Sequence, residues 1–165
     1  MPRTVLSWSA QISFCEIDKF GRLNRGEIMN NKVIRVLSRQ KYNVGALQTQ
    51  SSIVFRIGSQ IDVSQYRKIT LCARLHAWNF KNGAQAKFTL YDDGYTDEDP
   101  TANFIRTLTT ITFATGENDP LLKLATIDST ATPLVHFVSV YLTLTQGTQT
   151  TNYYAILSAD LILRS

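Results

Sequence analysis

From Ile69 to Trp78 the chain alternates: Ile69, Leu71, Ala73, Leu75 and Ala77 are apolar, with Thr70, Arg74 and His76 between them. A period of two marks a half-buried strand, because successive side chains point to opposite faces. The same alternation returns from Tyr153 to Leu163, with Tyr153, Ala155, Leu157, Ala159, Leu161 and Leu163 on one face and Asp160 on the other. Val135–Thr145 is a long run of β-branched and aromatic residues. Further strands are predicted over Val5–Phe14, Lys32–Leu37, Ser52–Ile57, Ala84–Tyr91, Asn103–Phe113 and Leu121–Ile127.

Turn chemistry separates these runs at Lys81-Asn82-Gly83, Asp92-Asp93-Gly94, Thr115 to Pro120 and Gln146-Gly147-Thr148. Asn82-Gly83 is the best hairpin candidate, since that pair accepts the positive φ angles of a type I′ turn. No segment sustains a capped 3.6-residue period, although Arg25–Leu37 has room for a short helical turn. Eight or nine strands joined by short turns predict an all-β, antiparallel β-sandwich, a jelly roll in the first place and an up-and-down barrel in the second. The long terminal strands should be built into the sheets. No linker or repeat divides residues 1–165, so one sandwich domain is expected.

Composition adjusts this picture in two ways. Charged residues make up 18% of the chain, below the roughly 25% of ordinary globular domains, and Thr, Ser, Gln and Asn take their place. Such residues suit exposed strand faces. Cys15 and Cys72 both fall in apolar runs and read as small buried hydrophobes rather than a disulfide framework. The N-terminus lacks the apolar stretch and cleavage site of a secretory signal, and nothing approaches the ~18 apolar residues of a membrane helix. Synthesis in the cytoplasm is expected, with no membrane partner, and a virion or extracellular particle would be reached by assembly or lysis.

Charge is divided along the chain. Residues 1–82 hold 13 Lys+Arg against 4 Asp+Glu, whereas residues 83–165 hold 4 against 9. The basic excess concentrates in Lys19, Arg22, Arg25, Lys32, Arg35, Arg39 and Lys41, and the acidic excess in Asp92, Asp93, Asp97, Glu98 and Asp99. Opposed charges of this kind can orient copies of one chain against each other. The basic set is spread over loop and strand without an RNP-like motif, which argues against nucleic acid as the partner.

Catalysis finds little to work with. His76 and His136 lie in mid-strand runs outside any ligand motif, and no G-x-S-x-G elbow is present. The acidic run around Gly94 offers hard oxygens (Asp92, Asp93, Asp97 and Asp99) to a structural Ca²⁺, but its spacing departs from the EF-hand loop, and a solvated loop is the stronger reading. Tyr91, Tyr95 and Trp78, with Trp8, Asn79 and Gln85, could make a stacking platform for a surface glycan, although core packing accounts for the tryptophans equally well.

Ile61-Asp62-Val63-Ser64-Gln65-Tyr66-Arg67-Lys68-Ile69 resembles a phrase of galactose-binding-like jelly rolls, in which an acidic turn leads into a core strand. Such modules occur in phage tail and baseplate adhesion proteins and in bacterial carbohydrate-binding modules. The resemblance implies that Asp62 or Ser64 turns the chain and that Tyr66 packs where the strand begins. It transfers no binding residue. The chain is therefore expected to be a non-enzymatic structural or adhesion subunit of a phage-like particle (tail, baseplate, fibre or capsid decoration), meeting copies of itself and other particle proteins. A carbohydrate-binding module, or a capsid jelly roll with a basic RNA-facing surface, are the alternatives.

Overall fold

A computed structural model describes residues 9–10, 31–43, 52–79, 83–93, 104–128, 130–131, 136–145, 147 and 154–165. The strands are β1 (Ser9–Ala10), β2 (Asn31–Asn43), β3 (Ser52–Asp62), β4 (Lys68–Trp78), β5 (Gln85–Asp93), β6 (Phe104–Ala114), β7 (Leu121–Asp128), β8 (Phe137–Thr145) and β9 (Tyr154–Arg164). They form a five-stranded sheet in the order β1-β2-β9-β4-β7 and a four-stranded sheet in the order β3-β8-β5-β6. Every pairing is antiparallel.

From β2 onward each connection crosses to the other sheet, except β5 to β6, which stays within the four-stranded one. Strands 2-9-4-7 facing 3-8-5-6 are two interlocked Greek keys, the jelly-roll arrangement. An up-and-down barrel would need neighbours in sequence order and is excluded. The same crossing corrects the hairpin expectation at Asn82-Gly83. Gly83 has φ 83°, but β4 and β5 belong to different sheets, so the turn carries the chain across the sandwich. The helical turn placed at Arg25–Leu37 is also corrected: Asn31 onward is strand, because Val33, Ile34 and Leu37 pair along β9. Positions 25–30 lie outside the described residues.

The alternating residues do what their spacing demands. Ile69, Leu71, Ala73 and Leu75 of β4 and Ala155, Leu157, Ala159, Leu161 and Leu163 of β9 are buried, and they meet Ala86, Phe88 and Leu90 of β5 and Val138, Val140, Leu142 and Leu144 of β8. Phe88 and Phe113 pack edge to face at 6.2 Å. Each fully buried large side chain here contributes roughly 1.5–3 kcal/mol relative to exposure.

Two strands outrun their sequence boundaries. β2 continues to Asn43 through the polar stretch Ser38-Arg39-Gln40-Lys41, with register shifts between Arg35 and Leu37 and between Leu37 and Gln40. The bulge turns Leu37 and Tyr42 into the core while Ser38 and Arg39 stay outside. β3 bulges after Arg56, where Gln60 takes φ 49°. A Cβ on Gly58 would stand 3.0 Å from Val36 Cγ1, so glycine sets the approach of β3 to β2.

The sandwich has two ends. Lys68, Asp93, Phe104, Asp128, Phe137 and Arg164 mark the lower one, and Trp78, Gln85, Ala114, Leu121, Thr145 and Tyr154 the upper. At the lower end Asp62 Oδ1 accepts from the Ser64 amide (2.9 Å) and hydroxyl (2.7 Å), and the Tyr66 amide donates to the Val63 carbonyl. The acidic turn thus leads into β4, with half-buried Tyr66 packed against the core. Asp128 and Thr130 repeat the device, and these donors hold both carboxyls below the ordinary aspartate value.

Candidate assembly surface

β2, β9, β4 and β7 turn one face to the core and the other outward. Register sets the outward rows: Val33 beside Ile162 and Thr70; Arg35 beside Asp160, Cys72 and Leu124; Ser158 beside Arg74 and Leu122. Among the described residues, six cations on this face (Arg35, Arg39, Lys41, Lys68, Arg74, Arg164) stand against two carboxylates, Asp128 and Asp160. Arg35 Nε donates to Asp160 Oδ1 at 2.9 Å, and this hydrogen bond raises the arginine's pKa. Lys68 lies 3.9 Å from Asp128, and Lys41 sits 4.7 Å over the Tyr154 ring. No carboxylate among the described residues pairs with Arg39 or Arg74.

Those two arginines help to line a polar depression of about 280 Å³ with Arg35, Cys72, His76, Ser158 and Asp160. His76 Nε2 and Ser158 Oγ are 2.8 Å apart. Burial, followed by the fields of Arg39 and Arg74, holds His76 below the usual imidazole value. The positive charge of the depression is therefore carried by its arginines. Burial, followed by the nearby Asp160, raises the Cys72 thiol, which keeps it protonated and poorly nucleophilic. Cys72 is a free, half-buried thiol on the outer face, so the expectation that it packs in the core is corrected. The strand's odd positions take the core, and Cys72 is even. Cys15 lies outside the described residues.

Apolar area borders the arginines. Leu122 and Leu124 on edge strand β7 are 46% and 59% exposed, and Val33 on β2 is 52% exposed. Arginines and exposed aliphatic side chains thus share this face.

The four-stranded sheet is different outside. Asp93 is buried at the lower end of β5, accepts from the Ser139 hydroxyl and lies 3.6 Å from Arg56 Nη2. The Gln60 amide donates to Ser139 Oγ at 3.3 Å. Tyr91 and Tyr141 meet edge to face at 5.5 Å. Asp92, on the inward side of β5, is fully buried and accepts from Arg106 Nε at 3.1 Å.

The sequence-predicted sites are thus redistributed. Asp92 and Asp93 are strand residues that face Arg106 and Arg56, and Asp97 and Asp99 lie outside the described residues. No group of three metal-ligating side chains occurs among the described residues. Trp78 donates its indole N–H to the Glu117 carbonyl at the upper end, while Tyr91 sits near the lower end, roughly 20 Å along the strand direction. The two do not form one platform, and Tyr95 lies outside the described residues. Of the basic set, Arg35, Arg39 and Lys41 share the outer face, and Lys32 is half-buried opposite Leu163 at the lower end. Lys19, Arg22 and Arg25 lie outside the described residues. Sequence reading missed Arg74 and Ser158, which line the depression, and Leu122 and Leu124, which stand beside it; all four come together only through pairing of distant strands. It also missed Arg106, which the β5–β6 register places opposite Asp92.

No family model and no curated protein matches the chain. Solved structures do. The VP2 subviral particle of infectious bursal disease virus superposes with a TM-score of 0.54 at 12% identity, over 93% of this chain and 38% of that one. The T13 viral particle of the same virus gives 0.50 at 13% identity, over 93% and 35%. The chain spans little more than a third of the length of these chains. At such identities the likeness is one of fold, and it agrees with the jelly-roll strand order.

Proposed function

We propose that the chain is a non-enzymatic structural subunit of a virus-like particle, built by association with copies of itself. The observation that carries this reading is the strand order 2-9-4-7 over 3-8-5-6, an architecture like that of VP2 in a subviral particle across 93% of the chain. An outer sheet face that mixes arginines without carboxylate partners and exposed leucines supports protein contact at that surface.

Within the particle class, these neighbours favour a shell position over a tail, baseplate, fibre or decoration role. The carbohydrate-binding alternative draws no support from the placement of Trp78 and Tyr91 at opposite ends of the sandwich. Light scattering and electron microscopy of the purified chain at low and high salt provide the test. Closed particles, or discrete oligomers that grow with protein concentration, are expected. A strict monomer under every condition would overturn the proposal.

A further inference from the structure

We infer that the arginine-lined depression on the five-stranded sheet receives the acidic segment Tyr95–Asp99 of a second copy. The inference rests on the particle reading and names the contact that builds the particle. Its receiving half is in the structure: Arg39 and Arg74, paired with no carboxylate among the described residues, the open depression between them, and exposed Leu122 and Leu124 alongside. Its entering half is in the sequence. Asp97, Glu98 and Asp99 are three consecutive carboxylates, and Tyr95 precedes them by two positions. Three acids match the arginines, and a tyrosine matches the leucines. The two other acids of the same run, Asp92 and Asp93, are already held by Arg106 and Arg56 within the subunit.

Geometry requires the contact to lie between copies. Residues 94–103 are anchored where Asp93 and Phe104 pair at the lower end of the four-stranded sheet. Each of Asp97, Glu98 and Asp99 is within five residues of an anchor, a reach of at most about 18 Å. Arg74 and Ser158 lie six positions above Lys68 and Arg164 at that end, which is roughly 20 Å of strand. They also face outward from the opposite sheet, about 10 Å further through the sandwich. A segment passing around the end needs about 30 Å and falls short. The donor and acceptor surfaces are therefore different patches of one chain, and such a contact is heterologous: it repeats head to tail, giving a closed assembly where the rotation closes and an open filament where it does not.

Charge reversal tests this in the full-length chain. Arg39→Glu/Arg74→Glu reverses the face, and Asp97→Lys/Glu98→Lys/Asp99→Lys reverses the segment. Each set alone should raise the protein concentration needed for assembly by about tenfold or more, since juxtaposed like charges are costly at an interface. An equimolar mixture of the two variants should recover assembly, because each face then meets a complementary segment. Circular dichroism checks the fold of each variant, and Arg39→Gln/Arg74→Gln replaces the face variant if it melts early. Wild-type assembly untouched by either set, or lost without recovery in the mixture, overturns the inference and leaves the particle reading standing. Failure of the wild type to assemble overturns the particle reading itself. If assembly requires added single-stranded RNA and only the face variant loses it, the occupant is a polynucleotide and the inference is wrong.

Discussion

Arg106→Ala isolates the most exacting electrostatic arrangement in the fold. Asp92 is fully buried and its Oδ2 accepts from Arg106 Nε at 3.1 Å, while the arginine side chain remains 41% exposed. Removing one partner of a buried ion pair costs about 3–5 kcal/mol, because the other charge loses its counterion in a poorly solvated place. Water reaching the vacated arginine position should hold the loss to the lower end, about 3 kcal/mol. For a chain of this length each kcal/mol lowers the melting midpoint by roughly 2–4 °C, which gives a fall of about 6–12 °C. Thermal denaturation followed by circular dichroism, under conditions that keep the chain monomeric, reads it directly. Asp92→Asn/Arg106→Gln should recover most of the loss, since no buried carboxylate charge remains. Arg35→Ala is the control: its pair with Asp160 is exposed, and its removal should cost at most about 1 kcal/mol. A fall below about 2 °C for Arg106→Ala, or a double variant no more stable than the single one, would refute the argument.

Leu122→Asp/Leu124→Asp should leave monomer stability within about 0.5 kcal/mol of wild type per site and weaken assembly in gel filtration; unchanged assembly would remove these leucines from the contact. His76 binds its proton less readily in the fold than its ordinary value of 6.5, facing Arg39, Arg74 and Asp160 across the depression. Its contribution to stability is therefore complete above about 6.5 and is lost as pH falls through the lower folded value. His76→Gln should flatten the decline in urea-unfolding stability between about pH 7 and 5, and a parallel decline in both proteins would count against this. Gln60 and Gly83 both have positive φ, 49° and 83°, but only Gln60 carries a Cβ. Gln60→Gly should be neutral or slightly stabilising, whereas Gly83→Ala should cost about 1 kcal/mol. Melting curves showing the same sign for both would contradict the backbone argument.

β4 and β9 were legible almost to the residue because each buries one face, so a one-position slip would expose its entire apolar set. β2 was cut short at Leu37 because Ser38–Lys41 carry no alternation, and only pairing with β9 reveals that a bulge restores the inward face at Tyr42. The acidic run shows the complementary failure. As a local string it reads as a solvated turn, yet Asp92 and Asp93 continue β5 because Arg106 and Arg56 meet them from other strands. For the depression, Arg35 and Arg39 could be singled out as cations. Arg74 and Ser158 face them only because β9 lies between β2 and β4, an order that no short-range pattern encodes.

That position of β9 also bears on how the chain is made. Arg35 and Asp160 are 125 positions apart, yet β9 forms ladders with both β2 and β4. As a nascent chain leaves the ribosome, β2 and β4 emerge with the slot between them empty, each presenting a strand edge able to pair wrongly. Folding dominated by such distant contacts is slow, so completion of the five-stranded sheet must await synthesis of the ninth strand. The surface that carries the arginine depression cannot exist earlier. Incomplete chains thus lack the face on which the proposed contact depends, and only chains that have reached β9 can take part in it.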